Sequence, residues 1–208
     1  MEDADAAASW LQVAWDEGIE SLMMSFAAYD LSFDEMKTSP AFEEAIGLAS
    51  EMELGVERLG GSVCLLSGAG SNVVAQVGDD GVFLIATGSF PVFASLQRAV
   101  SSLESGEVSR LLIRHPHDDH MGAAAELGTA ATVWAHSAGP DVEIASDTII
   151  VVNGEEVRIF ATPAHTPGDL VIYFTESGVV VGLLEQEAGD TDGDADPNET
   201  NNRCRDVD

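Results

Sequence analysis

The stretch LLIRHPHDDHMG, residues 111–122, decides how the rest of the chain is read. Residues 108–113 are apolar and β-prone. Directly after them, three histidines and two aspartates fall within six residues, from His115 to His120. Polar side chains at the end of an apolar strand gather on one rim of a sheet. Side chains alternate along an extended segment, so His115 and His117 point the same way. Asp119 and His120 follow where the chain turns into a helix, and so face a second position close by.

Imidazole and carboxylate are ligands that zinc takes, at about 2.0–2.2 Å. Two histidines do not complete a tetrahedral site, so a third has to come from elsewhere. The best candidate is His165 in PAHTPGD, residues 163–169, which follows a strand-like run over 157–162. Proline and glycine stiffen that loop. Three histidines and a water make an open, catalytic type of zinc site rather than a closed structural one. The chain has five histidines, and the fifth, His136, ends another strand-like run. A chance histidine cluster on an acidic surface is the plainer alternative, and a lone histidine would favour it. The tight spacing plus a distant histidine after a strand does not.

On either side of this segment, helix-like and strand-like runs can be marked off. Residues 1–54 read as helical: Trp10, Leu11, Ala14, Trp15, Ile19, Leu22, Met23 and Phe26 recur at helical spacing. Ser39-Pro40 opens a second helix with Phe42, Ala45, Ile46 and Leu48 as its apolar face. This content reads as core packing or a docking face rather than a cofactor box. Runs at 63–66, 73–77 and 82–85 read as strands separated by the turns SGAGSN and GDDG, and 91–103 reads as a helix. A short helix at 123–127 and a strand at 132–135 follow. Strands at 148–152 and 157–162 flank Asn153-Gly154, a strong hairpin signal. The last strand pair is 170–174 and 179–184. No internal repeat stands out.

At 208 residues the chain suits one main core. The reading divides it into a helical N-terminal extension (1–54), an α/β domain (55–184) and an acidic, disordered tail (185–208). No apolar run reaches the ~20 residues of a membrane span. The opening MEDADAAASW lacks the basic and apolar regions of a signal peptide, which reads as cytoplasmic, with secretion as the alternative. The net charge is −29 and Lys37 is the only lysine. Such a surface repels nucleic acid and anionic membrane, so neither is expected as a partner. It suits high salt, where charges are screened. In the tail, DTDGDADPNE (190–199) places carboxylates at alternate positions around a glycine, a pattern suited to calcium. A solvated acidic tail is the plainer reading.

His115-x-His117-x-Asp119-His120, preceded by a strand and followed by Gly122, resembles the signature of the metallo-β-lactamase superfamily. The resemblance runs over about 56–184, through the Thr87-Gly88 turn, Ala135-His136, the Asn153-Gly154 hairpin and the His165 loop. It implies a four-layer αβ/βα sandwich with metals at one edge. It further implies that His115, His117 and His165 hold a first zinc, and Asp119 and His120 a second. Three departures stand out. Ala86 occupies a position where the family commonly has an aspartate. Leu183 follows Gly182 where many members have a bridging aspartate. No histidine follows His165. The second zinc would have only Asp119 and His120, helped at most by Glu185 or Glu187, so one zinc is expected and a second is marginal. The C-terminal half of the sandwich would be incomplete, leaving the N-terminal helices, a second copy or a partner to cover it.

The implied activity is hydrolysis of a small carbonyl substrate: an amide, lactone, ester or thioester attacked by a metal-bound hydroxide. Asp119 would act as the catalytic residue. The alternative is a non-catalytic, degenerate family member that binds metal or serves as an interaction module. A third reading, an acidic calcium-dependent secreted protein, rests on the tail alone.

Overall fold

The computed structural model describes residues 2–16, 27, 33, 35–136 and 139–182. Several expectations lie outside the described residues: Ile19, Leu22, Met23 and Phe26, then Leu183, Glu185, Glu187 and the whole 185–208 tail with its calcium-like run.

Two sheets stack face to face. The first has seven strands in chain order: β1 (Gly55–Gly60), β2 (Val63–Ser67), β3 (Val73–Gly78), β4 (Gly81–Ile85), β5 (Val108–Ile113), β6 (Thr132–Ala135) and β7 (Val142–Glu143). The β1–β4 part is an antiparallel meander, and β4 to β7 run parallel. Parallel neighbours need crossovers. Helix α3 (Phe93–Ser101) supplies the one between β4 and β5. Short helices α4 (Asp118–Met121) and α5 (Ala124–Leu127) supply the one between β5 and β6. The second sheet is an antiparallel set of four: β8 (Thr148–Val152), β9 (Glu155–Ala161), β10 (Leu170–Phe174) and β11 (Val179–Val181). The strands β1 and β7 escaped the sequence reading. β1 carries Glu57 and Arg58 in an edge strand whose residues alternate between exposed and half-buried, and β7 is two residues long.

Alternation along the buried strands sends side chains into two cores. From β4, Leu84 joins a helix-covered core while Phe83 and Ile85 enter the space between the sheets. Leu111 and Leu112 of β5 divide in the same way. Between the sheets, Phe83 meets Phe174 edge-on at 6.3 Å. Glu155 pins the sheets together: its carboxylate accepts from Gln76 Nε2 of β3 at 2.9 Å and from the Glu176 amide at 2.8 Å. The Asn153-Gly154 turn has positive φ at both residues, 51° and 80°, as the sequence signal requires.

Helices α1 (Glu2–Asp16) and α2 (Pro40–Gly47) lie over the first sheet with α3, where Ala8, Leu11, Phe42 and Ala45 enter the helix-covered core. Trp10 departs from the expected apolar face: it is 73% exposed, while Leu11 and Trp15 point inward. No described residue of these helices joins the core between the sheets. They therefore do not cover the second sheet, whose outer face keeps Ile149, Val151, Phe160 and Val180 exposed among the described residues. Helix, sheet and sheet are three of the four layers expected. The second sheet carries no outer helix among the described residues, and none of the helices is long and apolar enough to cross a membrane.

Candidate metal centre

The site forms where the loop after β5 meets the loop between β9 and β10. The Leu170 amide donates to the Arg114 carbonyl at 3.0 Å, which joins the end of β5 to the start of β10 across the two sheets. The Thr87-Gly88 turn after β4 braces α4 from the other side. The Thr87 amide donates to the His120 carbonyl at 2.9 Å, and the Gly122 amide to the Gly88 carbonyl at 3.1 Å. Gly88 has φ +65°, and a Cβ there would fall 2.5 Å from the Ala69 carbonyl oxygen, so only glycine fits. Ser71 Oγ donates to the Asp119 carbonyl. Three chain turns thus hold the HxHxDH segment.

His115 and His117 lie on one side of their extended segment, with ring centroids 4.9 Å apart. The His165 ring stands 4.7 Å from that of His117 and 5.5 Å from that of His115. His165 Nε2 is 3.0 Å from His117 Nδ1. One ligand atom from each of the three falls within 4.8 Å of the others. A second set with the same spacing comprises His115, Asp119 and His120. His115 is common to both sets, whereas the sequence reading used it only in the first. His120 lies 4.1 Å from His115 ring to ring, and its Nε2 is 3.3 Å from Asp119 Oδ2. His136 follows β6 and belongs to neither set.

His115 is buried, and its Nδ1 has no hydrogen-bond partner. A buried polar atom without a partner is costly. Burial, with His120, Arg114 and His117 facing it, holds the His115 imidazole down at about 4, despite Asp169 acting the other way. The ring is therefore neutral at pH 7 and keeps a lone pair to offer. Imidazoles converging at this spacing suit a metal such as zinc, whose ligands in a tetrahedron stand about 3.3 Å apart for bonds of about 2.0–2.1 Å. Asp119 is held below the usual carboxylate range by its hydrogen bond with His120, which outweighs burial.

Two residues here were given no role from sequence. Asp169 is buried at the end of the His165 loop. Its Oδ2 accepts from the Thr166 amide at 2.8 Å and its Oδ1 from the Thr166 hydroxyl at 2.6 Å. Burial pushes its carboxyl up, but these bonds and the amides of His165 and Ala164 more than offset that, leaving it low. Proline and glycine on either side had signalled a fixed loop. The signal for Asp169 was its place three residues after Thr166, the spacing of a side chain that bonds back to its own turn. Arg114 is 7% exposed, with Asp169 and Asp119 as its counter-charges, and burial lowers its pKa. An arginine at the end of an apolar strand reads as solvent-facing, so nothing local announced it.

No protein-family model matches the chain. It is similar to the hydroxyacylglutathione hydrolase of Acidiphilium cryptum, 30% identical over 124 residues, which make up 52% of this chain and 50% of that protein. The hydroxyacylglutathione hydrolase of Cereibacter sphaeroides is 31% identical over 80 residues, 35% of this chain and 31% of that protein. The chain thus spans half or less of these relatives' length. Among solved structures it resembles a metallo-β-lactamase from Pontibacter korlensis, with a TM-score of 0.50, 20% identity, and coverage of 59% of this chain and 67% of that one. The two stacked sheets share the fold of that metallo-β-lactamase structure, and the histidine loops lie together at one edge, as the resemblance read from the sequence leads one to expect.

Proposed function

We propose that this protein is a metal-dependent hydrolase acting on a small carbonyl compound, with one zinc held by His115, His117 and His165. The observation that carries the reading is the convergence of three imidazoles on one point, with the ring of His115 buried and those of His117 and His165 open to solvent. When bound, zinc supplies an acidified water and polarises a carbonyl oxygen. The protein's own residues do the rest. Asp119, ionised and hydrogen-bonded to His120, orients the attacking water and takes its proton. Asp169 fixes the loop that presents His165. His117 and His165 are exposed, so a substrate reaches the metal position from solvent. An acyl-glutathione of the kind in the relatives' names is a thioester, which makes thioesters the first substrates to test, then lactones, esters and β-lactams.

The experiment is metal analysis of purified protein, followed by assay of the zinc-loaded chain against that panel. The Asp119→Asn variant is expected to keep its zinc and lose turnover by about 10²–10⁴-fold, the usual worth of a positioned base. A zinc-loaded wild type inert toward every substrate class would favour the second reading, a metal-binding module without catalysis. Ala86 favours that reading, since it puts no carboxylate at the end of β4 to orient the ligands.

A further inference from the structure

We propose that Arg114 makes this a one-metal site, its guanidinium standing over the face of His120 as a built-in cation that opposes a second metal held by Asp119 and His120. The inference rests on the metal-dependent reading above. One terminal nitrogen of Arg114 lies 3.3 Å from both ring nitrogens of His120. A position in the ring plane equidistant from both would collide with the carbon between them. The guanidinium therefore lies over the ring face, as cations do on aromatic rings. It leaves the in-plane lone pair of His120 uncapped, but any ion held there sits against a fixed positive charge.

Arg114 cannot shed that charge by losing its proton, and it is too buried for water to screen it. Its other terminal nitrogen is also buried and has no hydrogen-bond partner. Asp119, one of its two counter-charges, is the only anionic member of the second set. A second divalent ion would compete with the guanidinium for that one carboxylate. It would also compete with the first ion for His115, since a neutral imidazole has a single lone pair. The first set shares His115 but draws its other two ligands, His117 and His165, from further along the two loops, and it makes no use of Asp119. Arg114 thus acts as a positioning and selectivity residue: packed on the face of His120, it places a fixed cation against any second ion.

The test is equilibrium dialysis of the full chain against zinc from micromolar to millimolar, with zinc per chain read by elemental analysis. Wild type is expected to bind one zinc tightly. Arg114→Met, of similar length without the charge, should gain a second zinc with a constant at least tenfold tighter than any second binding by wild type. Arg114→Lys, which keeps the charge, should not. His120→Ala should still bind one zinc, within about threefold of the wild-type affinity. Loss of the zinc in this last variant would count against the inference even if Arg114→Met fails to fold. Two tight zincs in wild type, no gain in a folded Arg114→Met, or loss of the zinc in His120→Ala would each overturn this inference and leave the hydrolase reading standing. A wild type that binds no zinc would overturn both.

Discussion

Asp169→Ala is expected to unfold the His165 loop from its anchor and to cost the whole domain stability. The carboxylate is 4% exposed and accepts two hydrogen bonds from Thr166, at 2.8 and 2.6 Å. Leaving a buried donor without a partner costs about 1–3 kcal/mol. The Thr166 hydroxyl can rotate to another acceptor, so the amide carries most of that loss. Arg114 then loses the first of its two counter-charges while still buried, and stranding one member of a buried charge pair costs about 3–5 kcal/mol. Arg114 retains Asp119, which brings the second contribution to the lower end. The sum is about 4–6 kcal/mol for Asp169→Ala. Asp169→Asn keeps an acceptor oxygen but not the charge and should lose about 1–3 kcal/mol. Urea unfolding of metal-free protein at pH 7, followed by circular dichroism, reads the difference. Zinc affinity should fall alongside, about 10–100-fold, as for other groups that orient a metal ligand. An Asp169→Ala protein within about 1 kcal/mol of wild type, with unchanged zinc affinity, would refute the account of this loop.

Acid should weaken the metal-free protein in two stages. His115 is held at about 4 against 6.5 for a free histidine, so the unfolded chain binds the extra proton first and stability falls as pH drops through that window. The shift corresponds to about 3 kcal/mol, checked by urea midpoints between pH 7 and 4, with His115→Gln expected to flatten the slope. Asp119 and Asp169, both held below the usual carboxylate value, contribute stability above about 3.8 that is lost only at lower pH. Gly88→Ala should cost about 1–3 kcal/mol, because a positive φ and an oxygen 2.5 Å from the new Cβ both oppose it; an unchanged thermal midpoint would contradict the turn described here.

Much was legible in the residues alone, and each success has a local cause. Strands β5, β6, β8 and β10 were bounded correctly because each is a short apolar, β-prone run set off by residues of another kind. Asn153-Gly154 announced its hairpin because few other pairs tolerate two positive φ values in succession. His115 and His117 could be set on one side of the chain because alternation along an extended segment is a property of the backbone. What lay beyond local reasoning depended on packing. Trp10 faces solvent although helical spacing alone makes it as suitable for the core as Leu11. The N-terminal helices lie on the first sheet, where Phe42 and Leu11 share one core with Leu66 of β2 and Ala75 of β3, which no periodicity encodes. The joining of residue 165 to residues 115–120 rests on one backbone hydrogen bond between β5 and β10, strands 57 residues apart at Ile113 and Leu170. Arg114 and Asp169 acquire their meaning only from that junction. Charge placement in a buried site depends on what the two sheets bring together from distant parts of the chain.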